Sequence, residues 1–242
     1  MRRDALLIAA GPWHDIDHAR LELLTLMAEQ PALRVRVAEA YDPAMLDAAD
    51  CLVTYTCDVM PDGTALDALD RLMARGGRWL ALHGTNARLV LEPGAPVRCP
   101  PLPRRLRALL GSQFAAHPPV GRFKVTPAAP DHPLVAGIGT FHVEDELYLQ
   151  DVDPGGTVLL TCAFTGRTPT FERADWDEPA HPVMTLRGHG PGAVLYLTLG
   201  HTRGRHDMRP LTDAYPFVER GAWPHPAFRT LLRRGIAWAM RA

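Results

Sequence analysis

The feature that most restricts the fold is an alternation of short apolar segments with helical patterns in the first 85 residues. The apolar segments cover residues 5–11, 33–38, 51–56 and 79–82. Helical patterns cover residues 17–29 and the stretch between Pro61-Asp62-Gly63 and Gly76-Gly77, where the glycines favour a helix end. Buried strands joined by crossover helices form a parallel sheet, so the sequence predicts an α/β protein.

The rest of the chain is richer in strands. Strand patterns cover residues 122–126, 141–149, 157–164, 182–187 and 193–199, and a final helix is predicted over residues 226–241. The prolines concentrate in irregular surface segments and not in a linker between domains. We therefore predict a single domain over residues 1–242, with a mostly parallel sheet flanked by helices and additional strands in the C-terminal half.

Charge and hydropathy exclude several classes of partner. With 26 basic and 27 acidic residues, the formal net charge is −1, so electrostatics gives no reason to expect nucleic acid or an anionic membrane. No apolar run approaches the roughly 20 residues that cross a bilayer, and the run at residues 5–10 is too short for a signal peptide. We therefore expect a cytoplasmic protein. Its four cysteines fit no paired metal-binding spacing.

Polar residues follow several of the predicted strands. His14 comes after the first strand and Asp58 after the third. His83 comes after the fourth, and His201 follows the strand at residues 193–199. In open parallel sheets, ligands bind at the carboxyl ends of strands, because loops and helix N-termini meet there. The sequence therefore predicts that these side chains converge on one pocket.

His83 is the most suggestive of these residues. The strand at residues 79–82 runs directly into His83-Gly84, and a sharp strand-to-helix turn presents its side chain at the rim of the sheet. Thr85 and Asn86 add hydrogen-bonding groups at the start of the helix. The alternative interpretation is a histidine that only caps the following helix.

A second concentration of polar groups lies at residues 142–148. In an extended strand, His142, Glu146 and Tyr148 share one face. Asp145 lies on the opposite, apolar face, where a carboxylate is costly unless it is paired. Either a bulge redirects Asp145, or a histidine, an arginine or a metal ion pairs with it.

The histidines and these carboxylates fit two kinds of site. His117 precedes Pro118-Pro119, which suits either a positioned ligand or a plain turn. Histidine serves both metal ligation and proton transfer near neutral pH. The candidates for a site that holds zinc, manganese or iron, or for an acid–base set, are His14, His83, His117 and His201 with Asp145 or Glu146. Their spacing is long-range and contains no local metal motif.

Four motifs in matching order resemble the trehalose-utilisation (ThuA-like) family. They are the strand that ends in His83-Gly84, Gly111 to Phe114 with His117, His132-Pro133 followed by Asp145-Glu146 and Tyr148, and the strand from Gly192 to Gly200-His201. The resemblance implies a flavodoxin-like, class I glutamine amidotransferase-like fold and a role in the metabolism of trehalose or related sugars. The family positions that it carries over are His83, His117, Asp145, Glu146 and His201, and His14 matches a histidine after the family's first strand.

The resemblance also excludes an activity. A true amidotransferase carries a cysteine where this chain has His83, and glutamine hydrolysis needs a thiolate nucleophile. Cys57 ends a strand but lacks the glycine-flanked turn, so we expect no glutaminase activity.

Two positions depart from the family pattern. Pro182-Val183 is followed by Met184 where the family often has tryptophan, and Gly190-Pro191-Gly192 lacks the usual basic residues. If those groups contact substrate elsewhere in the family, this chain binds a different ligand.

The sequence leads to one main hypothesis and two alternatives. The main one is an enzyme that acts on a sugar or keto-sugar derivative through a histidine–carboxylate pocket, with or without a divalent metal. In this hypothesis His83, Asp145 and Glu146 are catalytic, Asn86, Tyr148 and Asp58 bind substrate, and His14, His117 and His201 bind metal. The alternatives are a non-catalytic sugar-binding or regulatory protein, and a metal-dependent hydrolase of an unrelated substrate. The sequence leaves open whether the chain forms a homo-oligomer.

Overall fold

A large sheet organises the chain, and its two halves differ in strand direction. The computed structural model describes residues 2–209 and 211–240, and nine strands of this part form the sheet. The parallel half comprises β1 (Arg3–Ala10), β2 (Leu33–Ala38), β3 (Cys51–Thr56), β4 (Arg78–Leu82) and β11 (Gly192–Leu197), in the spatial order β2-β1-β3-β4-β11. β1 to β4 lie within two residues of where the alternating pattern predicted them, and β11 overlaps the strand predicted over residues 193–199.

The second half of the sheet is antiparallel, so the prediction of a mostly parallel sheet holds at one end only. Beyond β11 the order continues β10-β9-β6-β7, with β6 (Gly121–Pro127), β7 (Phe141–Asp145), β9 (Thr157–Arg167) and β10 (Asp175–His189). Only Gly190 and Pro191 separate β10 from β11, and so short a connection joins antiparallel strands only. A separate two-stranded sheet pairs β5 (Ser112–Ala116) with β8 (Leu149–Val152).

Five α-helices in the described part of the chain cover the sheet. They are α1 (Ile16–Ala28), α2 (Pro43–Asp47), α3 (Gly63–Ala74), α4 (Arg104–Leu110) and α5 (Pro226–Ala239). The short α2 and α4 escaped sequence analysis because they are less than two full turns long. Arg241, the expected last residue of the final helix, lies outside the described residues. No helix in the described ranges is long and apolar enough to span a membrane.

The pleat of the parallel strands divides their side chains between two apolar cores. In β1, Leu7 packs in the core beneath α1 and α5, whereas Leu6 and Ile8 pack in the core beneath α2, α3 and α4. Strands that are buried on both faces read as continuous apolar runs, and this explains the sequence of β1 and β3. The carboxyl ends of the parallel strands are thereby fixed rigidly beside one another.

The segment predicted as a single strand over residues 141–149 is divided in two. β7 ends at Asp145, and the chain turns inward before β8 begins at Leu149. The expected alternation holds up to Asp145 and then fails, so Glu146 and Tyr148 are both buried. The interruption brings two neighbouring carboxylates into the interior at the end of the parallel strands.

Candidate functional site

The carboxyl ends of β1, β3 and β4 carry unusual backbone conformations. Among the described residues, the non-glycine positions with positive φ are His14 (78°), Asp58 (57°) and His83 (44°). Such conformations cost on the order of 1–3 kcal/mol each and concentrate at functional sites. All three positions were predicted as site residues from their places after strands.

His83 is held at the end of β4 by close backbone packing. The neighbouring Gly84 has no room for a side chain, because a Cβ there would lie 2.7 Å from the carbonyl oxygen of Thr56. The Nδ1 atom of His83 lies 2.7 Å from the carbonyl oxygen of Thr198, so Nδ1 carries the proton and donates it. Nε2, on the other side of the ring, faces Glu146. The expectation that the turn exposes this side chain at the rim is wrong, since His83 is completely buried.

Three buried imidazoles and one carboxylate converge at this point. One ligand-capable atom from each of His14, His83, His201 and Glu146 lies within 4.8 Å of the others. The Nε2 atom of His83 and the Nδ1 atom of His201 are 3.4 and 3.5 Å from the same Glu146 oxygen, Oε2. By hydrogen-bond geometry within the described ranges, each imidazole keeps one buried nitrogen without a partner: His14 Nδ1, His83 Nε2 and His201 Nδ1. We call these four residues the histidine–glutamate cluster.

Charges around the histidine–glutamate cluster determine its protonation. Burial lowers the pKa of His201, but Glu146 and Glu219 outweigh that effect and raise it to about 10. Burial alone would raise the pKa of Glu146, yet His117 and His201 hold it well below its usual value. Burial lowers the pKa of His14 well below its usual range. Before any metal binds, the cluster thus contains an ionised Glu146, a protonated His201 and a neutral His14.

Glu219 supports His201 from the far side. Its Oε2 atom lies 2.9 Å from Nε2 of His201, on the nitrogen opposite the one that approaches Glu146. A carboxylate on the outer nitrogen fixes the orientation of an imidazole, as in many metal-ligating histidines. Sequence analysis missed Glu219, because it lies in a proline-rich segment that was interpreted as irregular surface.

Backbone amides pair with Asp145, and the sequence did not suggest partners of this kind. Its fully buried carboxylate accepts hydrogen bonds from the backbone amides of Glu146, Gly200, His201 and Ala222 at 2.7–3.0 Å. Burial raises the pKa of Asp145, against the opposing effect of His83 and His201. Because all four partners are N–H donors, the geometry fits the ionised form. Asp145 therefore joins the segment after β11 to the end of β7, beside the cluster.

His117 lies next to the histidine–glutamate cluster but outside it. Its Nε2 atom is 3.2 Å from Glu146 Oε1, the carboxylate oxygen that does not approach His83 or His201. Its side chain is 29% exposed, whereas those of His83 and His201 are fully buried. His83 therefore lies among the potential ligands, and His117 faces the solvent-accessible side.

The three expected substrate-binding residues lie in different environments. Tyr148 lines the adjoining cavity and stacks on His83, with 4.2 Å between ring centroids. Asn86 is fully buried and does not line that cavity; its amide donates to Ser112 and Gln150. Asp58 also lies off the cavity wall and accepts a hydrogen bond from the amide of Leu89. Of the three, Tyr148 is placed to contact a ligand in the cavity.

A cavity of about 340 Å³ opens beside the histidine–glutamate cluster. Its polar wall includes His14, His117, Glu146 and Tyr148, while much of the remainder is apolar or aromatic. This volume is at the lower end of the usual range for small-molecule sites. Neither departure from the family pattern, at Met184 or at Gly190 to Gly192, contributes to this cavity.

Comparisons with known proteins agree with this architecture. The sequence model of the ThuA family, described as trehalose utilisation, matches residues 5–212. No curated protein matches the chain in sequence. A solved ThuA-like protein from Bacteroides uniformis superposes with a TM-score of 0.64 at 14% identity, covering 98% of this chain and 91% of that one. A ThuA-like protein from Parabacteroides merdae gives 0.61 at 13% identity, covering 99% and 90%.

The fold also occurs as part of larger proteins. A β-galactosidase from Rahnella sp. matches 82% of this chain with a TM-score of 0.54 and 14% identity, but this covers only 28% of that enzyme. At such identities the structural likenesses establish the shared fold and nothing further.

Proposed function

This chain belongs to the ThuA family of trehalose utilisation, and on that premise we propose that it is an enzyme acting on a sugar or keto-sugar derivative. The reaction takes place in the cavity beside the histidine–glutamate cluster, which binds a divalent metal. The observation that carries the proposal is the convergence of three buried imidazoles, each with one nitrogen outside hydrogen-bond geometry within the described ranges, on an ionised, buried carboxylate. Buried polar atoms without partners are rare unless they have a ligand or a catalytic role.

We also propose a flavodoxin-like arrangement for the parallel half of the sheet and a single domain for the chain. The parallel strands follow the order β2-β1-β3-β4-β11, which supports a flavodoxin-like arrangement in which ligands bind beyond the carboxyl ends. Two apolar cores that both extend along the central sheet support a single domain over residues 1–242.

The donor set of the histidine–glutamate cluster fits a first-row metal ion. Imidazole nitrogen and carboxylate oxygen bind such ions at about 2.0–2.2 Å, so ligand atoms on one ion lie at most about 4.4 Å apart. The observed limit of 4.8 Å is close to that, and small side-chain movements would close the difference. Thr198 holds the outer nitrogen of His83, and Glu219 holds that of His201. Zinc, manganese and iron all accept this donor set.

Four protein ligands would fill a tetrahedral zinc shell and leave no position for substrate. Manganese or iron, with higher coordination numbers, is therefore the better fit to a catalytic role here. A bound divalent ion would supply polarisation of a sugar hydroxyl or carbonyl oxygen.

The cavity residues provide the remaining chemistry. His117 is partly exposed, lines the cavity and pairs with Glu146, so we assign it proton transfer to or from the sugar. The side chain of Tyr148, on the same wall, orients the ring. His83 and His201 are completely buried and act as ligands rather than as bases, in place of the catalytic role first expected for His83.

Glutaminase chemistry has no candidate nucleophile among the described residues of this site. Cys57 lines the cavity, but burial raises its pKa well above the usual value and keeps the thiol protonated. A thiolate is the reactive form of cysteine. We expect no release of ammonia from glutamine.

Metal analysis tests the proposal directly. Protein purified without chelators, or loaded with manganese, iron or zinc, should hold about one ion per chain. His83→Ala and His201→Ala should each abolish stoichiometric binding. His142→Ala removes an exposed histidine on β7 and should leave the metal content unchanged. A wild-type protein that holds no metal after loading contradicts the metal-assisted version.

Turnover separates the enzyme from a sugar-binding or regulatory protein. A panel of sugars, keto-sugars and glycosides is assayed for product formation and for an increase in melting temperature. Ligand stabilisation without product would favour the binding protein, because mass action stabilises a folded protein whether or not chemistry follows. His117→Gln should reduce turnover strongly while the metal content stays at the wild-type level.

A further inference from the structure

The cavity beside the histidine–glutamate cluster has two chemically different parts. Its polar groups gather around Glu146, which lies 3.2 Å from His117 and within the cluster that includes His14. Tyr148 adds its hydroxyl 3.5 Å from Nε2 of His14. Hydroxyl groups of one sugar ring would find both donors and acceptors at this end.

The other part of the cavity is mostly apolar, although Thr168, Thr170 and Arg203 also line the cavity. Three connecting segments form it, and they contribute Leu89, Leu91, Val97, Pro169, Phe171, Met208 and Leu211. We call this surface the apolar wall. Leu91 and Leu211 are 38% and 56% exposed, which places them at the solvent side of the cavity.

Aromatic contacts connect the two parts. The Phe171 ring lies 4.9 Å from the His117 ring, between centroids, and Val97 pairs with Phe171 through a β-bridge. Phe114 contacts Phe171 at 5.7 Å and Tyr148 at 4.5 Å. The apolar wall therefore begins beside His117 and continues away from Glu146.

This division is poorly suited to a substrate that is polar all round. A free disaccharide has hydroxyl groups on every side, and those pressed against the apolar wall would lose water without gaining hydrogen bonds. An apolar substituent at the same place would gain from burial. An aromatic ring would also gain edge or offset contacts with Phe171 and Phe114.

We propose that the substrate is a glycoside with an aromatic aglycone, whose sugar lies at Glu146 and whose ring packs on the apolar wall. This inference rests on the proposed sugar function and adds the chemical class of the aglycone. Burial of a phenyl ring should strengthen binding about 10- to 100-fold over a methyl group at the same position.

Matched glycosides test the inference by calorimetry on the metal-loaded protein. The probes are phenyl and methyl glycosides of glucose, galactose and mannose, in both anomeric forms. For each sugar that binds, the phenyl glycoside should bind at least tenfold more tightly than the methyl glycoside. The double variant Leu91→Ser/Leu211→Ser should reduce that ratio at least threefold and change methyl glycoside affinity less than twofold. Both positions are exposed, so the variant should fold.

Phe217→Ser is the matched control, because Phe217 is 65% exposed and does not line the cavity. Equal affinity for phenyl and methyl glycosides would overturn the inference and leave the sugar function standing. A tenfold ratio that survives in the double variant would overturn the assignment of the ring to the apolar wall. If no glycoside of any pair binds to metal-loaded protein, the sugar function fails and this inference fails with it.

Discussion

Replacing Asp145 with asparagine tests whether its carboxylate holds the site together. Oδ1 accepts from the amides of Glu146 and His201, and Oδ2 accepts from those of Gly200 and Ala222. An asparagine side chain has one acceptor oxygen, so in either orientation its NH2 group faces two N–H donors. Two of four hydrogen bonds are lost, and two buried amides are left without acceptors.

The size of the effect follows from these contacts. A hydrogen bond to a charged group contributes about 1.5–3 kcal/mol, so two of them correspond to about 3–6 kcal/mol. Burial raises the pKa of Asp145, so removing its charge recovers part of the desolvation cost. We therefore expect a loss of about 3 kcal/mol in the free energy of unfolding. For a chain of this size, that corresponds to a fall of about 6–12 °C in melting temperature.

Thermal melting and urea denaturation of Asp145→Asn provide the measurement. Glu144→Gln is the matched control, since Glu144 is exposed on the same strand and its replacement should change the melting temperature by less than about 2 °C. Faster hydrogen exchange at the amides of Gly200 and Ala222 should accompany the loss of stability. If Asp145→Asn melts within about 2 °C of the wild type, the assignment of Asp145 as the link between β7 and the segment after β11 is refuted.

Three further predictions concern other parts of the molecule. Gly11→Ala should destabilise the fold by roughly 3 kcal/mol or more, because the added Cβ would clash with the Cys57 carbonyl oxygen and because Gly11 has a positive φ of 138°. Gly63→Ala is the control, since its Cβ would meet no atom within 4 Å, and thermal melting of both variants measures the difference. Burial lowers the folded-state pKa of His181, whose Nε2 accepts a hydrogen bond from the Gln150 amide, so the free energy of unfolding should fall as the pH drops below about 6.5. Urea titrations at about pH 7.5 and 5.5 should show a smaller fall in this free energy for His181→Gln than for the wild type. Glu219→Gln should weaken metal affinity about 10- to 100-fold by competition with a chelator, and an unchanged affinity would exclude Glu219 as the support of His201.

The pH dependence of stability follows from the lowered pKa of His181. A histidine whose pKa is lower in the folded state binds protons more readily when unfolded. Its contribution is therefore present above the unfolded-state pKa and is lost as the pH falls through the folded-state value. Protonation would also require the imidazole nitrogen to give up the amide of Gln150.

The parallel half of the sheet could be predicted from local patterns. The strands β1, β3 and β4 are buried on both faces, so their composition alone separates them from the helices between them. The carboxyl ends of predicted strands identified His14, Asp58, His83 and His201 as candidate site positions. The polar segment at residues 142–148 added Glu146, and the position before Pro118-Pro119 added His117. The antiparallel half was predicted as strands without a direction, because pairing partners depend on contacts that are distant in sequence.

The sequence by itself determined the family, the α/β core and most of the histidines and carboxylates of the candidate site. Only the tertiary structure decided their surroundings. It buried His83 among the potential ligands, left His117 facing the cavity, satisfied Asp145 with backbone amides and brought Glu219 onto His201. The physical reason is that strand patterns record only which residues are apolar. A histidine's role depends on which atoms surround each of its two nitrogens, and those atoms come from segments as distant in the chain as His14 and His201.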